Sequence, residues 1–166
     1  MGVYILIGIV ILLVLICLII YNSLVKSRNL VKEAFSTMDV YLKKRWDLVP
    51  NLVEVVKGYT SYENNTLTKI TELRANSYND LTMDKKININ EQLTNAISSI
   101  IAVSENYPEL KASENFLNLS KSLTKIEDDI ANSRKYYNGT VRIYNNKIQM
   151  FPSNIVASLF NFKEAS

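Results

Sequence analysis

VYILIGIVILLVLICLIIY, Val3 to Tyr21, is an unbroken apolar run without one charged side chain. Roughly 19 residues of helix at about 1.5 Å rise cover roughly 28 Å, close to the hydrocarbon thickness of a bilayer. In lipid the backbone must satisfy its own hydrogen bonds, as a helix does. Tyr4 and Tyr21 bracket the run with amphipathic rings, which favour the membrane interface. The stretch therefore predicts a transmembrane helix, with residues 3–21 in the lipid bilayer and an anchor bounded at 1–22. A cleaved secretory signal would need a basic segment before the run and a small-residue cleavage site after it, and the sequence has neither. Cys17 follows Ile16 instead of a small residue, unlike a lipoprotein leader, and reads as one more apolar side chain.

No Lys or Arg precedes the run, whereas Lys26, Arg28 and Lys32 follow it. Basic flanks stay on the cytoplasmic side, so the expected protein is single-pass in the cell membrane, with its N-terminus outside and the remaining mass cytoplasmic. A formal net charge of +3, with acids and bases interspersed, forms no contiguous basic face. Nucleic acid is accordingly not an expected partner. The sole cysteine precludes an intrachain disulfide.

Beyond the anchor, few Gly and Pro and no low-complexity tract point to helices. Phe116, Leu123, Ile130, Tyr137, Tyr144 and Phe151 recur every seven residues, with Leu119 and Ile126 between them, and predict one long amphipathic helix. Ser133 and Thr140 interrupt the second row, and Val141 and Ile148 are expected to take it over as the stripe drifts. Leu24, Val31 and Met38, with Phe35 and Leu42, extend the membrane helix as a stalk to about Trp46. Asp47 to Pro50 reads as a turn and a new helix start, because proline suits a first turn and not an interior. Leu52, Val56, Tyr59, Leu67, Ile70 and Leu73 continue the next stripe. Asn79 to Lys86 reads as a loop. Asn88 with Glu91 resembles a capping box for a helix through Leu93, Ile97, Ile100 and Val103 that ends near Pro108. The expected fold is all-α: a transmembrane helix continuing into an antiparallel bundle of about four long helices over 23–151, then a short amphipathic segment over 152–166.

The strings YNSLVKSRNLVKEAF (Tyr21 to Phe35), DVYLKKRWDLVPNLVEVVKGY (Asp39 to Tyr59), ENYPELKASENF (Glu105 to Phe116) and YYNGTVRIYNNKIQMFP (Tyr136 to Pro152) resemble those of the LemA family. The resemblance spans nearly the whole chain. It implies a bacterial membrane-anchored protein with a mostly helical cytoplasmic domain, and it implies no particular reaction. Family members often carry His where Tyr62 stands, and often extend beyond the F-x-F that here is Phe160 to Phe162.

No histidine is present, which removes the commonest general base and metal ligand, and the cysteine lies in the anchor. Phosphate-cradling glycine motifs are missing too. Glu54, Glu63, Glu127, Asp128 and Asp129 could in principle meet inside a bundle, but carboxylate sites of that kind pair Glu with His, so solvated surface carboxylates are the expectation. We therefore expect no catalytic, cofactor-binding or metal-binding residues. Arg28, Arg45, Glu63 and Arg134 fall on or beside apolar stripes, where an unpartnered charge is expensive. Setting Tyr21 level with Phe151 suggests the pairs Asp39 with Arg134 and Arg45 with Asp128. The basic run Lys43, Lys44, Arg45 lies roughly 33 Å along a helix from Tyr21, too far for lipid headgroups. Ile155, Val156, Leu159, Phe160 and Phe162 form an apolar face that either packs onto the bundle's end or lies on the bilayer. Tyr137 and Tyr144 belong to the core stripe, and Tyr136 faces elsewhere.

Three functional readings follow. The first is a non-enzymatic scaffold or adaptor that works by tethering an unidentified membrane or cytoplasmic protein, with self-association as a further option. The second is a membrane-organising or membrane-shaping oligomer. The third is a carboxylate-based enzyme.

Overall fold

Burial along the first helix changes character at Leu24. The computed structural model describes residues 1–59 and 65–165. In it, α1 runs unbroken over Gly2–Tyr59. Every large apolar side chain from Val3 to Ile19 is exposed, on all sides of the helix. From Leu24 the helix is one-sided, with Leu24, Ser27, Val31, Ala34, Met38, Leu42, Arg45 and Val49 buried at steps of three or four. Among the described residues, α1 is the one helix long and apolar enough to cross a membrane.

The remaining elements are α2 (Asn65–Leu73), a 3-10 turn (Tyr78–Asp80), α3 (Met83–Ser104), α4 (Pro108–Ala112), α5 (Glu114–Gln149) and α6 (Ser153–Leu159). The fold is all-α, with six α-helices among the described residues and not four. Two compact units can be distinguished: Met1–Thr37 with Ser133–Ser166, and Met38–Asn132. In the first, α1 and α5 run antiparallel, because Lys147 reaches Ser23 and Ser27 while Phe35 meets Tyr137. In the second, Trp46, Val49, Leu52, Val53 and Val56 of α1 enclose a core with Leu67 and Ile70 of α2, Leu93, Ile97 and Ile100 of α3, and Phe116, Leu123 and Ile130 of α5.

Several boundaries differ from expectation for identifiable reasons. Pro50 lies inside α1 and no turn forms at Asp47. An interior proline costs about 3 kcal/mol through its missing hydrogen bond and its clash with the preceding turn. Burial of Trp46, Val49, Leu52, Val53 and Val56 around it, at about 1.5–3 kcal/mol for each large apolar side chain, outweighs that cost. Asp47 caps nothing; it pairs with Lys43 one turn back at 2.6 Å. The predicted loop is shorter than Asn79 to Lys86, since α3 starts at Met83 with Thr82 as N-cap, its Oγ1 accepting from the Lys85 N–H at 3.4 Å. Asn88 is already inside the helix and accepts from Gln92. Thr82→Ala should therefore cost about 1 kcal/mol in urea unfolding, and Asn88→Ala only a few tenths; the reverse order would restore the capping box. Pro108 opens α4, occupying the first turn where its lack of an N–H is harmless.

The long helix α5 matches its prediction closely, with Phe116, Leu123, Ile130, Tyr137 and Tyr144 all buried. Two details change. Ser133 and Thr140 stay buried in the second row instead of yielding to Val141 and Ile148; Thr140 satisfies its hydroxyl on the Tyr137 carbonyl at 2.7 Å. Phe151 lies past the helix end and is exposed, so the heptad row closes at Tyr144.

Candidate functional site

Two polar and aromatic assemblies stand out in the second unit. Arg45 is 1% exposed, among the largest fully buried side chains. Its Nη1 donates to Asn90 Oδ1 at 2.9 Å and to Thr94 Oγ1 at 2.7 Å, and its Nη2 pairs with Glu127 Oε2. Three helices, α1, α3 and α5, thus meet on one guanidinium. A planar fork of fixed donors suits such a junction, and the charge is tolerable because carboxylate and amide oxygens face it. The partner is Glu127, one residue from the expected Asp128, which is exposed. A single residue step turns about 100° around a helix, enough to take a side chain from seam to solvent. No sequence motif marks Asn90 or Thr94; the available signal is that Asn90 shares a stripe with Leu93 and Ile97, where a buried amide requires a partner.

The second assembly stacks cations on rings. Trp46 and Tyr78 lie 5.3 Å apart between centroids, Arg74 covers the Trp46 ring at 5.2 Å, and Lys86 and Lys43 face the Tyr78 ring at 4.4 and 5.4 Å. The carboxylate of Asp39, expected opposite Arg134, has both oxygens occupied: Oδ1 accepts from the Tyr78 hydroxyl at 2.6 Å and Oδ2 from Lys86 at 2.9 Å. Burial first, then the Asp39 bond and the nearby Asp39 and Asp47 charges, hold the Tyr78 phenol well above its ordinary value. Because the folded state keeps this proton more tightly than the unfolded chain, its contribution to stability is complete below the unfolded value near 10 and declines above it. Urea stability should fall by up to about 1.4 kcal/mol per pH unit above pH 10 on this account. Tyr78→Phe should show a shallower slope by that amount, and equal slopes would refute the assignment.

The basic run dissolves into separate roles. Lys43 serves Asp47 and the Tyr78 ring, Lys44 lies over the Tyr41 ring at 5.5 Å, and Arg45 is interior. Glu54 is exposed, Asp129 is half-buried, and Glu63 and Tyr62 fall outside the described residues. Among the described residues, no group of three or more His, Cys, Asp or Glu is placed to hold a metal ion.

The first unit carries a different kind of site, at the point where the exposed apolar part of α1 ends. Tyr21 meets the Phe160 ring at a tilt and the Phe162 ring edge to face, with centroids 4.8 and 5.7 Å apart, and Arg28 lies over the Phe162 ring at 5.1 Å. The F-x-F spacing has a backbone cause. The Phe162 N–H returns to the Ala157 carbonyl and the Asn161 N–H to the Ser158 carbonyl, at 2.9 and 3.2 Å, while Asn161 sits at φ 54°. This is the Schellman closure of a helix, with an asparagine in the left-handed position that its short polar side chain tolerates. The chain then returns to α5: the Tyr144 hydroxyl donates to the Lys163 carbonyl at 3.0 Å, and the Asn145 amide exchanges two bonds with Ala165 at 2.8 and 2.9 Å. Lys147 donates to both Ser23 and Ser27 of α1, at 3.0 and 2.7 Å. The predicted apolar face is therefore divided: Val156 and Phe162 are buried, whereas Ile155, Leu159 and Phe160 are exposed.

The family model of the LemA family matches residues 34–166. Protein LemA of Metamycoplasma hominis is 30% identical over 137 residues, covering 82% of this chain and 63% of that protein. Magnetosome protein MamQ 2 of Paramagnetospirillum magneticum is 35% identical over 71 residues, 43% of this chain and 26% of its own. Magnetosome protein MamQ of Magnetospirillum gryphiswaldense is 30% identical over 69 residues, 42% of this chain and 25% of its own. This chain thus spans under two thirds of the first relative and about a quarter of the magnetosome proteins. With the family match running from the middle of α1 through α6, the chain belongs to the LemA family.

Proposed function

We propose that this LemA-family chain is a non-enzymatic scaffold or adaptor, held by residues 3–21 in the cytoplasmic membrane with its N-terminus outside and its helical units on the cytoplasmic side. The observation that carries the reading is the exposed apolar surface from Val3 to Ile19, which no part of the described chain covers. In water such a surface would drive association, and in a bilayer it is solvated. The basic flank Lys26, Arg28 and Lys32 supports the orientation. Confinement to a membrane raises the local concentration of whatever the helical units bind. Tyr136 and Ile143, exposed one heptad apart on α5, provide an apolar contact for a protein partner.

A photo-crosslinker at position 136 of the full chain, activated in native membranes, should give a few discrete adducts. Smears from large polymers, together with curved assemblies of the purified chain, would favour a membrane-shaping oligomer instead. Protease added to intact spheroplasts should leave the helical units uncut; their digestion would reverse the orientation.

A further inference from the structure

We propose that the link between α5 and α6, together with the outer face of α6, forms a second membrane contact: an interfacial wedge that inserts among the lipids of the leaflet next to the helical units. This rests on the reading of residues 3–21 as a bilayer anchor. Five large apolar side chains cluster within eleven residues and remain open, namely Met150 (62% exposed), Phe151 (79%), Ile155 (59%), Leu159 (73%) and Phe160 (49%). Their neighbours Val156, Ala157 and Phe162 are buried, so the segment is folded and the open residues are what its packing leaves over.

The occupant follows from position. Phe160 touches Tyr21, the last residue of the apolar run, so the patch adjoins, through Phe160, the end of the segment that the anchor presents to lipid. The tail cannot swing away freely, because the Tyr144, Asn145 and Ser153 bonds tie it to α5, and the contacts of Phe160 and Phe162 with Tyr21 and of Phe162 with Arg28 tie it to α1. Phe, Leu and Ile on one side of a short amphipathic element are what binds at the boundary between headgroup and acyl chain. Lys26, Arg28 and Lys163 lie close in sequence or space to Tyr21 and Phe162, where cations would meet anionic phosphates. The anchor has already met the entropy of bringing the chain to the surface, so a wedge too weak to bind alone can bind here.

The test uses the full chain with Cys17→Ser, reconstituted in vesicles of phosphatidylethanolamine and phosphatidylglycerol. Leu12→Cys, Tyr136→Cys and Leu159→Cys, each in a separate sample, carry an environment-sensitive fluorophore. The Leu159 probe should be quenched by a lipid spin label near the headgroup more than by one near the chain end, and severalfold less by aqueous iodide than the Tyr136 probe. The Leu12 probe should be quenched most by the deep label. If the Leu12 probe behaves so while iodide quenches the Leu159 and Tyr136 probes alike, the wedge is wrong and the anchor stands. Iodide access to Leu12 would overturn both. Shielding of Leu159 from iodide without quenching by either lipid label would place protein there and also overturn the wedge. Phe151→Cys gives the same readout should labelling at Leu159 disturb α6.

Discussion

Glu127→Ala should destabilise the chain by about 3 kcal/mol, the lower end of the range for breaking a buried ion pair, since the Glu127 side chain is itself part-exposed. The reason is asymmetric. Arg45 cannot follow its lost partner into water, because α1, α3 and α5 close around it. Asn90 and Thr94 supply neutral oxygens, but a full positive charge keeps most of its desolvation cost once the carboxylate facing Nη2 is gone. Arg45→Met combined with Glu127→Ala should be less damaging than Glu127→Ala alone, since an apolar side chain of similar length fills the space without a charge. Its remaining defect is the buried Asn90 amide, about 1–3 kcal/mol. Urea unfolding of the full chain in detergent, followed by circular dichroism, measures both. A single variant as stable as the parent would mean that the guanidinium has another route to neutralisation.

Ile11→Arg with Leu13→Arg should remove the chain from membranes. Each arginine near the middle of a spanning helix costs about 2.5–3.5 kcal/mol on insertion scales, and each replaced residue also loses a favourable contribution. Together the two cost at least about 6 kcal/mol, roughly four decades in partition. The two positions are about 200° apart around the helix, so both arginines cannot face one aqueous defect. Carbonate-washed membranes should retain the parent and lose the variant. Retention of the variant would remove the basis for anchoring by residues 3–21.

Long-period signals carried well: the five buried members of the α5 row and the end of the all-round apolar surface before Leu24 were legible, because burial repeats over many turns and averages out local exceptions. Short-range signals carried poorly. Pro50 and the Asn88 to Glu91 spacing are both sound local rules, and both were overridden, one by packing on either side and one by Thr82 starting the helix earlier. The ion pairs failed by one residue at Arg45, although the assumed register, Tyr21 level with Phe151, places Phe35 beside Tyr137 as observed. Tyr78 gave no signal, since its importance depends on Asp39, Trp46 and Lys86, which are near it only after folding. In the sequence the C-terminal apolar residues form one surface. In the fold it is two, because the left-handed Asn161 turns Phe162 inward while Phe160 stays partly open.

The absence of any joint in α1 between Ile19 and Leu24 has a mechanical consequence. Consecutive peptide hydrogen bonds make an unbroken helix stiff to torsion, so a roll of the apolar turns cannot be absorbed by a swivel before reaching Ser23 and Ser27. Torque on the hydrophobic shaft would arrive first at the Tyr21 ring, wedged against Phe160 and Phe162, and next at the ammonium of Lys147, which clasps both serines.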